Sequence, residues 1–179
     1  MRSIGVEACI SLHVDADFKV PLSSRLVFRD GRQGEKGASM YGLKTESSFD
    51  AAHFLTDYHG KCENLHGHRW RVVAYLGQEE LQKEGTMKDM VVDFGVFKNA
   101  LRDLTEELDH SFVVEEGSLK EQTLACLREE GFELSILPFR TTAENLARYF
   151  FRRLEEQGMP VAQVDVYETP NNCAFYRRG

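Results

Sequence analysis

The sequence has no long hydrophobic run: its apolar stretches last a few residues each, far short of the roughly 20 that a membrane-spanning helix needs. Glu7 and Asp15 interrupt the residues that follow Met1-Arg2-Ser3, so no signal-peptide core is expected. Cysteine is sparse as well. Cys9, Cys62, Cys126 and Cys173 stand far apart with no CxxC pair, which argues against a disulfide framework and leaves each as buried filler or as chemistry. Basic residues are outnumbered, 22 against 29 acidic ones, for a net charge of −7. That balance argues against nucleic acid, whose binders carry a basic footprint, but leaves room for a local cluster that takes a small anion. Internal repeats and low-complexity tracts are absent. These exclusions leave a soluble cytoplasmic protein of 179 residues, whose 42% hydrophobic content suffices for one cored domain.

The chain divides near Met40. Residues 1–39 hold one strand candidate, in which Ile10, Leu12 and Val14 alternate with polar residues, and a glycine-rich run from Asp30 to Gly37 that reads as a loop. Residues 40–179 are far more regular. Strands are expected over residues 41–53 and 66–76, from their period-2 alternation. Asp93 reads as the N-cap of a helix reaching about residue 108, with Phe94, Phe97, Leu101, Leu104 and Leu108 in one apolar stripe. A short extra helix over 119–130 and a short strand over 132–139 follow. Thr141 and Glu144 fit a capping box for a second main helix, which Gly158 and Pro160 stop. Residues 161–168 and 173–176 then form a hairpin. The core order is β-β-α-α-β-β, an α+β arrangement of four antiparallel strands with two helices on one face.

Four of the six histidines fall between Ala52 and Arg69. His66 and His68 share one strand face, so both imidazoles can reach one metal ion. His53 ends the preceding strand and is the preferred third ligand, with His59 in the intervening loop as competitor. An open three-histidine site would suit catalysis, whereas a thiolate from Cys62 would close it into a structural zinc site. Cys62 also has the position of a base or nucleophile, flanked by Lys61 and Glu63. Asp109-His110 follows the first helix directly, where it reads either as an acid–base pair or as ordinary capping. Glu168 closes an apolar strand face with a carboxylate, either in solvent or opposite a fork-shaped donor. His13 belongs to no cluster and reads as surface.

The stretches Phe49-Asp50-Ala51-Ala52-His53 and Cys62-Glu63-Asn64-Leu65-His66-Gly67-His68 resemble the 6-pyruvoyl-tetrahydropterin synthase family. Leu108-Asp109-His110, Thr142-Ala143-Glu144-Asn145 and Glu168-Thr169 continue the resemblance in order, so that it spans Met40 to Tyr176. It implies the tunnelling fold, trimers closed into a barrel and stacked as a hexamer, and active sites between subunits. It implies one Zn2+ per subunit on His53, His66 and His68, and a catalytic group of Cys62, Asp109 and His110. Glu168 would anchor the amino-pyrimidine edge of a pterin, with Thr142 beside it. The implied substrate is 7,8-dihydroneopterin triphosphate, and bacterial-type members convert it to 6-carboxy-tetrahydropterin on the route to queuosine.

Two departures keep alternatives open. Glu63 follows Cys62 directly, and some relatives use a glutamate near this position to make 6-hydroxymethyl-dihydropterin, a folate precursor. A dual enzyme, a pyruvoyl-type synthase and a non-catalytic zinc scaffold are the other readings, and a metallohydrolase would have only Glu63 as its base. Residues 1–39 have no counterpart in compact relatives, and residues 115–139 read as a longer connection than the shortest members have.

Overall fold

A computed structural model describes residues 39–178. The strand expected over residues 10–14, the glycine-rich run at 30–37, His13 and Cys9 lie outside the described residues. The elements run β1 (Tyr41–His53), β2 (His66–Gln78), α1 (Phe94–Glu106), β3 (Ser111–Glu115), α2 (Glu121–Glu129), β4 (Leu134–Leu137), α3 (Ala143–Glu156), β5 (Val161–Thr169) and β6 (Asn172–Arg177). The strands form one sheet in the order β4-β3-β1-β2-β5-β6. None of the described helices is long and apolar enough to cross a membrane.

β1 and β2 pair antiparallel along their whole length, from Tyr41 opposite Gln78 to His53 opposite His66. Alternation then sorts the side chains. Phe49, Ala51, Trp70, Val72, Ala74, Leu76, Val164 and Val166 face the helices and are buried. The helices answer with Phe97, Leu101 and Leu104 from α1 and Leu146, Phe150 and Leu154 from α3, all fully buried. α1 begins at the expected cap, since the Asp93 carboxylate accepts from the N–H groups of Gly95 and Val96 at 2.8 and 3.0 Å. α3 ends where Gly158 adopts φ of +78°, a conformation that glycine reaches without steric cost.

The α+β class stands as expected, and the sheet is wider than the four antiparallel strands foreseen. β3 pairs parallel to β1 at Ala51 and Ala52, and β4 pairs parallel to β3, which adds two strands at that edge. β4 and α2 answer to the short strand and helix expected in this connection, whereas no element is expected from the sequence where β3 forms. Its five residues are too few to show a period, and Val113 and Val114 are both buried, so alternation is lost. The α3 capping box is also displaced by one residue. Thr142, not Thr141, caps the helix by accepting from the Asn145 N–H at 3.3 Å, which leaves Thr141 free for another task.

Among the described residues, β1 is unpaired on its outer side from Tyr41 to Asp50, and β6 is unpaired on its outer side. Phe150 tests the packing between α3 and the sheet: it is fully buried, with its ring 5.9 Å from that of Phe49. Replacing it with alanine is expected to lower unfolding free energy by roughly 3–5 kcal/mol in a urea titration. A loss below about 1 kcal/mol would show that the layer is not packed as described.

Candidate functional site

β1 ends, β2 begins and β5 ends at one edge of the sheet, and four candidate ligand residues converge there. One ligand atom each from His53, His66, His68 and Glu168 lies within 4.8 Å of the others. The strand register places His53 opposite His66 and Ala51 opposite His68, so the three imidazoles share the helix-facing side. Their ring centroids stand 4.6 to 5.3 Å apart. Trp70, the next inward residue of β2, meets His53 and His68 edge-on at 5.0 and 5.3 Å.

Backbone carbonyls settle the tautomers of two rings. His53 Nδ1 donates to the Thr141 carbonyl at 2.9 Å, and His66 Nδ1 donates to the Asn64 carbonyl at 2.7 Å. A carbonyl oxygen only accepts, so Nδ1 carries the proton and Nε2 keeps its lone pair. The Nε2 atoms of all three histidines are buried and without a hydrogen-bond partner. Three partnerless Nε2 atoms gathered within 4.8 Å of one another would be costly in an ordinary interior, and they fit a divalent metal. Burial pushes the His53 pKa down to about 4 against the opposing Thr141 bond, with repulsion from His66 and His68 acting in the same sense as burial. His68 is lowered too, chiefly by burial, while Glu168 pulls the other way. Both effects keep the lone pairs available to a metal.

Glu168 arrives from a local irregularity. Tyr167 pairs with Cys173 and Thr169 with Asn172, which leaves Glu168 as the extra residue of a β-bulge. Its Oε1 approaches His68 Nε2 at 3.1 Å and His53 Nε2 at 3.5 Å. Thr141 is the residue that sequence reasoning missed. Fully buried, it takes the His53 proton on its carbonyl, holds its hydroxyl 3.3 Å from the same nitrogen, and donates that hydroxyl to the Phe54 carbonyl at 3.1 Å. Two adjacent threonines before a helix were the available signal, since only one of them can be the cap.

The other candidates lie elsewhere. Cys62 is a half-buried free thiol in a single 3-10 turn over Lys61–Glu63, anchored by the Leu55 N–H on its carbonyl at 2.9 Å. Glu63 and His59 are exposed, and neither joins the ligand group. His110 Nδ1 donates to Asp109 Oδ2 at 2.7 Å, while Asp109 Oδ1 accepts from the Asp50 N–H at 2.8 Å. The His110 N–H returns to the Asp50 carbonyl at 2.7 Å, which holds His110 at φ of +53°. The hydrogen bond it donates to Asp109 raises the His110 pKa, and the bonds Asp109 accepts from the Asp50 N–H and from His110 lower that of Asp109. His110 borders a hollow of about 540 Å³, whose lining includes Ala52, Gly67 and His68. A Cβ on Gly67 would meet only ordinary contacts, so the glycine keeps the hollow open and is not required by a close backbone approach. Among the described residues, no hydrogen bond or ion pair joins Cys62 to Asp109 or His110.

Residues 42–179 match the family model described as 6-pyruvoyl tetrahydropterin synthase. The chain is 33% identical over 141 residues to the 6-carboxy-5,6,7,8-tetrahydropterin synthase of Haemophilus influenzae, covering 77% of this chain and 99% of that relative. It is 37% identical over 127 residues to the enzyme of the same name from Aquifex aeolicus, covering 65% and 76%. Among solved structures, an uncharacterized protein from Wolinella succinogenes aligns with a TM-score of 0.65 at 20% identity, over 79% of this chain and 99% of that one. The 6-pyruvoyl tetrahydropterin synthase of Plasmodium vivax aligns at 0.57 and 22%, over 78% and 98%. These structural likenesses show the tunnelling fold.

A neutral buried His53 sets the sign of a pH effect. The unfolded imidazole titrates near 6.5 and the folded one near 4, so the unfolded chain binds more protons between those values. Stability is therefore fully present above about pH 6.5 and is lost as pH falls toward 4. Thermal denaturation of the protein in chelator should show a melting temperature that already drops between about pH 6.5 and 5, above the usual carboxylate range. A flat profile across that interval would contradict a buried neutral His53.

Proposed function

Because the chain belongs to the 6-pyruvoyl tetrahydropterin synthase family, we propose that it is a zinc-dependent 6-carboxy-5,6,7,8-tetrahydropterin synthase. In this reading it converts 7,8-dihydroneopterin triphosphate to 6-carboxy-tetrahydropterin, releasing acetaldehyde and triphosphate, as a cytoplasmic step toward queuosine. The observation that carries it is the convergence of three partnerless Nε2 atoms at the sheet end, beside a carboxylate. His53, His66 and His68 would hold the ion. When bound, Zn2+ supplies Lewis acidity at the substrate's side-chain hydroxyls and favours loss of the adjacent protons.

The chain's own residues supply the rest. Cys62, half-buried at the mouth of β2, takes a proton on its sulfur as thiolate. Asp109 holds the Nδ1–H of His110, which leaves His110 Nε2 to pass a proton to or from the side chain. The raised His110 pKa suits the donor role near neutrality. Glu168 would bind the amino-pyrimidine edge of the pterin, and Thr142, the cap of α3, would contact the ring beside it. The outer sides of β1 and β6, unpaired among the described residues, support assembly into a closed barrel, in which β6 of one subunit would meet β1 of the next. Asp109 and His110 lie against Asp50, next to the bare part of β1. They would thereby face the hairpin between β5 and β6 of a neighbour, so that adjacent subunits of a stacked hexamer share each site.

Product analysis tests the proposal. Zinc-loaded protein given 7,8-dihydroneopterin triphosphate should release acetaldehyde and a 6-carboxypterin species. Cys62→Ala should lower kcat by roughly 10²–10⁴-fold, the usual worth of a positioned proton acceptor, while the exposed Glu63→Ala stays within a few-fold. A 6-hydroxymethylpterin product that depends on Glu63 would move the chain to folate synthesis. Absence of any turnover would leave a zinc scaffold.

A further inference from the structure

Building on the metal-centre reading above, we infer that Glu168 is a fourth protein ligand of the metal in the substrate-free enzyme and leaves the ion when the pterin arrives. The distances carry this. Zinc holds imidazole nitrogen at about 2.0–2.1 Å and carboxylate oxygen at about 2.0–2.2 Å, so neighbouring donors around a tetrahedral ion stand about 3.3–3.5 Å apart. Glu168 Oε1 is 3.1 Å from His68 Nε2 and 3.5 Å from His53 Nε2. Neither contact is a hydrogen bond, because both nitrogens are without a hydrogen-bond partner. For His53, Nδ1 donates the ring proton to the Thr141 carbonyl at 2.9 Å, which leaves Nε2 as the lone-pair nitrogen of the neutral ring. The Glu168 oxygen and the His53 Nε2 both offer lone pairs, so at this separation they repel unless a cation lies between them, and His68 Nε2 stands at the same point.

The bulge explains how the carboxylate gets there and why it can leave. As the unpaired residue between Tyr167 and Thr169, Glu168 is freed from the regular ladder, and its side chain is 27% exposed while that of His53 is 2% exposed. A site with four protein ligands is closed, and catalytic zinc needs an open position. A carboxylate released from the ion must find another cationic or bidentate donor. The 2-amino-4-oxo-pyrimidine edge offers two parallel N–H donors, which match the two carboxylate oxygens. Recognition of the heterocycle would then uncover the metal, and its fourth position would open only when the right ring is bound.

The test reads the metal directly. Substrate-free wild type and Glu168→Gln are loaded with Co2+ or Zn2+, and affinity is measured by chelator competition. The Co2+ absorption is then followed as a pterin lacking the side-chain hydroxyls is added. Expected are a loss of at least about 10-fold in affinity for Glu168→Gln and a Co2+ spectrum in the wild type that shifts on adding the pterin. The same addition should leave the Glu168→Gln spectrum nearly unchanged. Equal affinities, together with a wild-type spectrum indifferent to the pterin, would overturn the inference and leave Glu168 as a pterin anchor alone. The pterin-induced shift needs no variant, so poor folding of Glu168→Gln would not blunt the test. Turnover is scored separately: a four-ligand signature without turnover would sink the synthase proposal and keep the gate. Turnover with an unchanged spectrum would do the reverse.

Discussion

The antiparallel register between β1 and β2 sets His53 opposite His66 and Ala51 opposite His68, and the site depends on it. A slip of one residue would turn His66 and His68 to the uncovered face and leave His53 alone beneath α3. The register is held well away from the site. Trp70, which pairs with Phe49, and the inward Val72, Ala74 and Leu76 would all be exposed by the same slip, so the core enforces the geometry of the histidines. The apolar stripe and the metal group are one continuous face, with its last residues changed from hydrocarbon to imidazole.

That continuity gives the histidines their chemistry. His53 sits where the core ends, buried enough to lose its proton near neutrality, yet tied through Nδ1 to the Thr141 carbonyl. Thr141 is the residue just before the α3 cap, so the helix start and the ligand orientation are set by the same backbone turn. An imidazole orphaned on Nε2 and satisfied on Nδ1 is the arrangement a metal ligand needs, and it usually persists through such supporting contacts.

The Asp109–His110 pair follows different rules. Asp109 and His110 lie at the other side of β1, strapped by two backbone bonds to Asp50, and His110 is held in the left-handed region with its ring exposed. Among the described residues, the exposed His110 imidazole on its carboxylate has no part in the packed core. It makes physical sense as a group offered across the bare edge of β1, which is where the proposed barrel would place a neighbour.

Much was legible in the residues alone. Period-2 alternation ending in His53 and beginning at His66 defined two strands, and the i, i+2 spacing put His66 and His68 on one side. The stripe of Phe97, Leu101 and Leu104 behind the Asp93 cap defined α1. These signals are local, because strand and helix periods are properties of adjacent residues. What only the tertiary structure decided was long-range: β3 and β4 joining the sheet in parallel, Thr141 turning from cap to ligand support, and the bulge that swings Glu168 among the histidines. Each of these depends on which distant backbone group is left without a partner once the chain has closed on itself, and no stretch of neighbouring residues carries that information.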